Sequence, residues 1–247
     1  MQKKLWSRFW FKERKKIKDY YLKNAYLSYN TNNFNDIYKK YIKRQRYSAF
    51  NVETTHRCRL QCPFCQRQKK YGKEKVKEAG ELSYSCLRKI YNFTNDINLC
   101  GQISDPIYHT NLLEILRIRK NDYPNKTLTI RTNGSGKKIK WWEEAYNLSN
   151  NYTHWVFGLD GGSQHTANIY RIGTNFDEVF EVMKLGAKTT AVITWQFILF
   201  EHNEHELDTV KIMCKENKIN LEVIYSHRWP EEKKHLGIKK SNLQKQI

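Results

Sequence analysis

The sequence predicts an α/β fold assembled from parallel βαβ units. Six short segments rich in Val, Ile, Leu, Thr and aromatic residues alternate with five stretches of helical periodicity. The chain has 247 residues, 39% of them hydrophobic and 14% aromatic. That is enough to bury a sizeable core in one domain, and it excludes a disordered polyelectrolyte. Right-handed crossovers between successive strands would wind such a chain into an open sheet or a partial barrel.

The strand candidates are Ser48–Thr54, Ile97–Cys100, Leu128–Thr132, Trp155–Asp160, Val192–Phe200 and Leu221–Tyr225. Helical patterns fall at about residues 82–94, 110–121, 138–149, 175–187 and 203–217. The last opens with Asn203 and places Glu204 and Glu206 in its first turn, a sound helix start. In folds of this kind, chemistry sits at the C-terminal ends of the strands. Residues 1–46 read as a basic helical N-terminal extension, 47–226 as the core, and 227–247 as a short, polar, basic and frayed tail.

The net charge is +19, from 44 basic and 25 acidic residues. Residues 1–46 hold 14 basic residues against 3 acidic ones, so the excess concentrates in this arm. Of the basic residues, 31 are Lys and 13 are Arg, and Asn occurs 22 times. Such a bias fits either an AT-rich coding sequence or a chain that binds polyanions. Within the loop Gln66–Ala79, Arg67–Lys77 carries six basic residues and one acid, Glu74; it reads either as a surface that steers an anionic partner or as a solvated, mobile loop. No stretch approaches 18 apolar residues, and Met1–Lys18 lacks the apolar core of a secretory signal. A cytoplasmic location with reduced thiols is therefore expected.

Three of the six cysteines lie within eight residues, as Cys58-x-x-x-Cys62-x-x-Cys65, directly after the first strand candidate. Three thiolates on one loop can converge on a soft metal centre and leave one coordination position open. A zinc site completed by His56, in a non-catalytic protein whose basic arm binds nucleic acid, is the alternative from these residues alone. Cys86, Cys100 and Cys214 are isolated and read as core or surface thiols. His202 and His205 read as helix-start residues.

The run Cys58-x-x-x-Cys62-x-Phe64-Cys65 resembles the CxxxCxφC signature of the radical S-adenosylmethionine (SAM) superfamily, with Phe64 as the aromatic residue. Four further segments resemble that family in order. Gly101-Gln-Ile-Ser104-Asp105-Pro106 is similar to its GGEP segment, with Ser104 in place of Gly and Asp105 in place of Glu. Thr132-Asn133-Gly134 is similar to its TNG segment. Asp160-Gly161, followed by Tyr170-Arg171-Ile172-Gly173, resembles the SxDG…YRxG region of members related to the SPASM group. Gln196 and Asn203 resemble polar positions on the fifth strand and at its end.

The resemblance implies a partial (β/α)6 TIM-like barrel. It implies one 4Fe–4S cluster on Cys58, Cys62 and Cys65, and S-adenosyl-L-methionine within reach of Phe64, Gly101, Ser104, Asp105, Asn133, Asp160, Arg171 and Gln196. Reductive cleavage of SAM would yield a 5′-deoxyadenosyl radical that abstracts hydrogen from a substrate. No residue of this chain is assigned as a substrate base or radical relay. The 22 residues after Tyr225 contain no Cys, so no SPASM extension is expected. The SPASM-related resemblance points to a peptide or protein substrate, and the charge to RNA, a nucleotide or a small anionic molecule. A reductant such as flavodoxin or ferredoxin is implied as partner. A degenerate member that binds SAM without turnover is the remaining expectation, motivated by Ser104 and Asp105.

Overall fold

The computed structural model describes residues 49–245 except 79, 93 and 226–237. The basic arm 1–46 and much of the 227–247 tail lie outside the described residues. Six strands form one all-parallel sheet in chain order. They are β1 (Ala49–Val52), β2 (Asp96–Leu99), β3 (Thr127–Thr132), β4 (Thr153–Gly158), β5 (Val192–Leu199) and β6 (Asn220–Tyr225). β1 and β6 are the two ends of this order, so the sheet is an open, partial TIM-like barrel. Every strand candidate is present within a residue or two at most boundaries.

Helices return the chain between strands: α1 (Lys70–Glu78) and α2 (Tyr84–Tyr91) before β2, and α3 (Leu112–Asp122) before β3. Next come α4 (Ile139–Asn147), α5 (Gln164–Tyr170), α6 (Phe176–Ala187) and α7 (Leu207–Glu216). A short α8 (Asn242–Lys245) follows β6. Side-chain caps fix several starts: Ser83 accepts from Cys86 N–H, Ser163 from Thr166 N–H, and Asn175 from Glu178 N–H.

Strand alternation decides which face holds the core. In β3 and β5 every second residue is buried. Leu128 and Ile130 of β3, Trp155 and Phe157 of β4, and Ile193, Trp195, Phe197 and Leu199 of β5 join the apolar layer that packs against the helices. Trp142 of α4 meets Trp155 edge-on at 5.3 Å, an offset that suits their ring quadrupoles. Two of the buried indole N–H groups are satisfied, Trp155 donating to Ser149 Oγ at 3.0 Å and Trp195 to Leu159 O at 2.6 Å, whereas that of Trp142 has no hydrogen-bond partner. The alternate residues Arg131, Val156, Gly158, Gln196 and Ile198 face the concave side.

Two segments differ from the sequence expectation. The expected mobile loop 66–79 contains the nine-residue helix α1. Gly72 lets this helix close on the preceding turn, because a Cβ there would collide with the Gln66 carbonyl. Gly72 is its one fully buried residue, so α1 carries no apolar stripe that a periodicity search would find. The described end of the expected frayed tail is also held down. Ile238 is buried, Lys240 bridges Phe200 in antiparallel fashion, and Ser241 Oγ donates to Glu204 at 2.6 Å. No described helix is long and apolar enough to cross a membrane.

Candidate active site

The C-terminal ends of the strands surround a cavity of about 460 Å³. Cys58, Cys62 and Cys65 line it together, on the loop that leaves β1. Local turns shape that loop: Cys65 N–H donates to Cys62 O at 3.1 Å and Gln68 N–H to Cys65 O at 3.0 Å. Beneath it, Leu60 and Phe64 pack with Tyr170, Phe200 and Ile238. Donors reach all three thiols: Arg67 N–H to Cys65 Sγ at 3.4 Å, Asn133 Nδ2 to Cys58 Sγ at 3.6 Å together with Leu60 N–H, and the Arg171 side chain to Cys62. Burial, then the Asp105 carboxylate, pushes the Cys58 thiol up to about 12, and burial also raises Cys62.

The segment after β2 forms the second wall. Gly101 is required there, since a Cβ would overlap the Ser104 carbonyl. Glu53, just past β1, clamps this segment by accepting from Gln102 N–H at 2.9 Å and from Ser104 Oγ. Asp105 is 3% exposed and turns inward. It accepts from Ile107 N–H at 3.1 Å, Thr132 Oγ1 at 3.0 Å, Asn133 N–H at 2.6 Å and Asn133 Nδ2. Burial raises this carboxyl to about 6, against the pull of those hydrogen bonds. One acid thus fastens the end of β3 to the segment after β2. Gly134 then turns the chain at φ +74°, with Phe157 and Val179 where a Cβ would sit.

Arg171, following α5, lines the cavity on the opposite side. Its Nε donates to Asp160 at 2.6 Å, and its terminal nitrogens lie against Gly158. Burial acts to lower Arg171, but Asp160 and Cys62 outweigh it and hold the guanidinium charged. Asn203, at the end of β5, is fully buried and donates to the carbonyls of Asp160 at 3.0 Å and Ile198 at 2.9 Å. Gln196 faces the cavity and donates to Glu222 at 3.1 Å. Arg131 lies 3.5 Å from the same carboxylate.

Gly101, Ser104, Asp105, Asn133, Arg171 and Gln196 therefore line one cavity with the three cysteines. Phe64 and Asp160 do not line it; they support the cysteine loop and Arg171 from behind. Cys100, expected among the core or surface thiols, lies on the cavity wall because it directly follows β2, whereas Cys86 is exposed and Cys214 is buried. Sequence reasoning passed over Glu53 and Arg131. Arg131 lines the cavity and Glu53 bonds its second wall, and their places next to Thr132 and just past the end of β1 were the available signal.

The donor set suits an iron–sulfur cluster: three soft thiols face one cavity, with a polar rim beside them. Among the described residues, no group of three His, Cys, Asp or Glu side chains is placed to hold a single metal ion. His56 is engaged elsewhere, its Nδ1 accepting from Gly80 N–H at 3.3 Å.

Residues 52–213 match the sequence profile of the radical SAM superfamily. The chain belongs to this superfamily. No curated protein sequence gives a match. Among solved structures, the radical SAM core of this chain is similar to SuiB of Streptococcus suis bound to its precursor peptide SuiA. There the identity is 17%, the TM-score 0.58, and the match covers 78% of this chain and 42% of that one. SuiB bound to S-adenosylmethionine matches with 15% identity and a TM-score of 0.53, over 77% of this chain and 43% of that one. Methylornithine synthase PylB matches with 15% identity and a TM-score of 0.56, over 79% and 58%. This chain thus spans about two fifths of the length of SuiB and less than two thirds of PylB. At these identities the likeness shows a shared radical SAM fold.

Proposed function

We propose that this chain cleaves S-adenosylmethionine reductively and directs the resulting radical at a peptide or protein side chain. The observation that carries the proposal is the convergence of Cys58, Cys62 and Cys65 with Gly101, Asn133 and Arg171 on one cavity at the strand ends. When bound, a 4Fe–4S cluster supplies the electron that splits SAM into methionine and a 5′-deoxyadenosyl radical.

The chain's own residues then hold and shield. The three thiolates ligate the cluster, and the N–H groups of Arg67 and Asn133 stabilise their sulfur charge. The segment Gly101–Ser104, clamped by Glu53, offers backbone carbonyls to the SAM ammonium. Asp105 acts mainly by fixing Asn133 and Thr132, which departs from direct contact with the ligand. Arg171 spends Nε on Asp160 and also hydrogen-bonds the Cys62 thiol, and the rest of its fork is directed at the SAM carboxylate. Val156, Ile198 and Ile224 give the cavity an apolar wall that keeps water from a reactive radical. A peptide substrate is supported by the fold shared with SuiB, a protein solved with its precursor peptide.

The test is anaerobic iron–sulfur reconstitution, followed by electron paramagnetic resonance of the reduced protein with and without SAM. About four irons per chain, a spectrum that changes on adding SAM, and release of 5′-deoxyadenosine support the proposal. Uptake of a single zinc with no response to SAM would refute it.

A further inference from the structure

Residues 58–65, which carry the three thiols, lie in no helix or strand. Their backbone has few ties to the rest of the fold, one of them Gln61 N–H to Ile172 O at 3.1 Å. The remaining support is apolar. Leu60, Cys62 and Phe64 form one buried cluster with Tyr170, Phe200 and Ile238, and Cys58 and Cys65 pack against it. Phe64 meets Tyr170 edge-on at 5.8 Å, and Tyr170 meets Phe200 at 4.7 Å. Tyr170 closes α5 and Phe200 follows β5, whereas Ile238 comes from a segment beyond β6. That segment is tied down at points away from the thiols. Glu201 N–H donates to Lys239 O at 3.1 Å, and Lys240 bridges Phe200. Glu204 accepts from Ser241 Oγ at 2.6 Å and from Asn242 N–H and Nδ2, each at 2.7 Å. These anchors all lie in residues 200–204, which Asn203 fastens to the barrel through the carbonyls of Asp160 and Ile198.

We propose that Ile238–Asn242 is a clasp on the cysteine loop, with Ile238 as the positioning residue that keeps the three thiols in the arrangement a cluster needs. The proposal rests on the cluster-binding role of Cys58, Cys62 and Cys65. An irregular loop opens locally at a cost set by the contacts it gives up. Here those contacts are a small group of side chains, so the loss of one is a large share of the whole. Truncating Ile238 leaves a void in the group that contains Cys62, and its neighbours fill that void only by moving the loop. The effect is confined to this end of the molecule, because the main core, which includes Cys214 on α7, is a separate cluster. Glu204 acts one step further back. It touches none of the thiols and holds Ile238 in place through Ser241 and Asn242.

The test compares the full chain with its Ile238→Ala, Ile238→Leu and Glu204→Ala variants. The cluster-free, reduced proteins are treated with iodoacetamide, and mass spectrometry follows alkylation of Cys62 and Cys214, both buried. Ile238→Ala and Glu204→Ala should each speed alkylation of Cys62 by about tenfold or more, with Cys214 at the wild-type rate. Ile238→Leu conserves volume and should stay within about threefold of the wild type at Cys62. After reconstitution, the same two alanine variants should lose iron to an added chelator faster by a comparable factor. Wild-type alkylation of Cys62 in either alanine variant would overturn the proposal. So would a parallel rise at Cys62 and Cys214, which marks general unfolding. If Ile238→Ala does not fold, Glu204→Ala decides by the same criteria. Failure of the wild type to take up iron would remove the cluster-binding role, and the alkylation rates would still report whether the clasp holds the loop.

Discussion

Arg171 Nε and Asp160 Oδ2 lie 2.6 Å apart, and the Asp160 side chain is fully buried. The other carboxylate oxygen of Asp160 accepts from Ile198 N–H at 2.7 Å. One acid therefore joins the end of α5 to the end of β5. Asp160→Ala leaves a charged guanidinium and a backbone donor without their partner. It should cost about 3–5 kcal/mol in urea denaturation. Asp160→Asn keeps an acceptor for Ile198 and should cost less. Equal stability of Asp160→Ala and wild type would show that the pair does not hold these elements.

The cysteines separate by position. Cys58→Ser, Cys62→Ser or Cys65→Ser should each reduce reconstituted iron from about four per chain to less than about one. Cys86→Ser, on the exposed side of α2, should leave the iron count unchanged. Iron analysis with the visible spectrum checks this, and equal loss in all four variants would point to general unfolding.

Gly101→Ala forces the Gly101–Ser104 segment to move, because the added methyl meets the Ser104 carbonyl. The core elsewhere is untouched. Equilibrium dialysis should show SAM affinity reduced by about tenfold or more, or about 1.4 kcal/mol. Thermal unfolding should stay cooperative. Wild-type affinity in this variant would exclude the segment from the SAM site.

Glu206 anchors the start of α5 by accepting from Gly162 N–H at 2.7 Å, Ser163 Oγ at 2.8 Å and Thr166 Oγ1. Burial acts to raise its pKa, but these hydrogen bonds outweigh burial and lower it from 4.5. A lowered folded value means stabilisation that is complete above the unfolded pKa and lost as pH falls through the folded one. Glu206→Gln should cost about 1–3 kcal/mol at neutral pH. The gap should narrow on acidification below 4.5. Denaturation midpoints on both sides of that pH measure the change, and a gap independent of pH would contradict it.

Much of the fold was legible because parallel strands announce themselves. Val192–Leu199 alternates large apolar residues with others, and its burial alternates with the same period. The cysteine loop was legible because three soft ligands in eight residues have few purposes. Helix α1 was not, since it is held by Gly72 and by the Lys75–Glu78 pair and carries no apolar face. Nor was the division of labour between the two aspartates. Asp105 reaches the cavity wall while bonding Thr132 and Asn133, whereas Asp160 lies behind Arg171. Their surroundings come from elements distant in the chain, at residues 132–133 and 198, and local motif spacing contains no such information.

The unjoined ends of the sheet give the two buried aspartates a wider meaning. A closed ring resists spreading through hoop tension, whereas six strands whose first and last do not pair with each other behave as an arch. An arch keeps its span only when tied across its segments. Asp105 ties the segment after β2 to the end of β3, and Asp160 ties α5 to β5. These two carboxylates are tie-rods of the vault, adding side-chain ties between neighbouring strand ends to the backbone ladder.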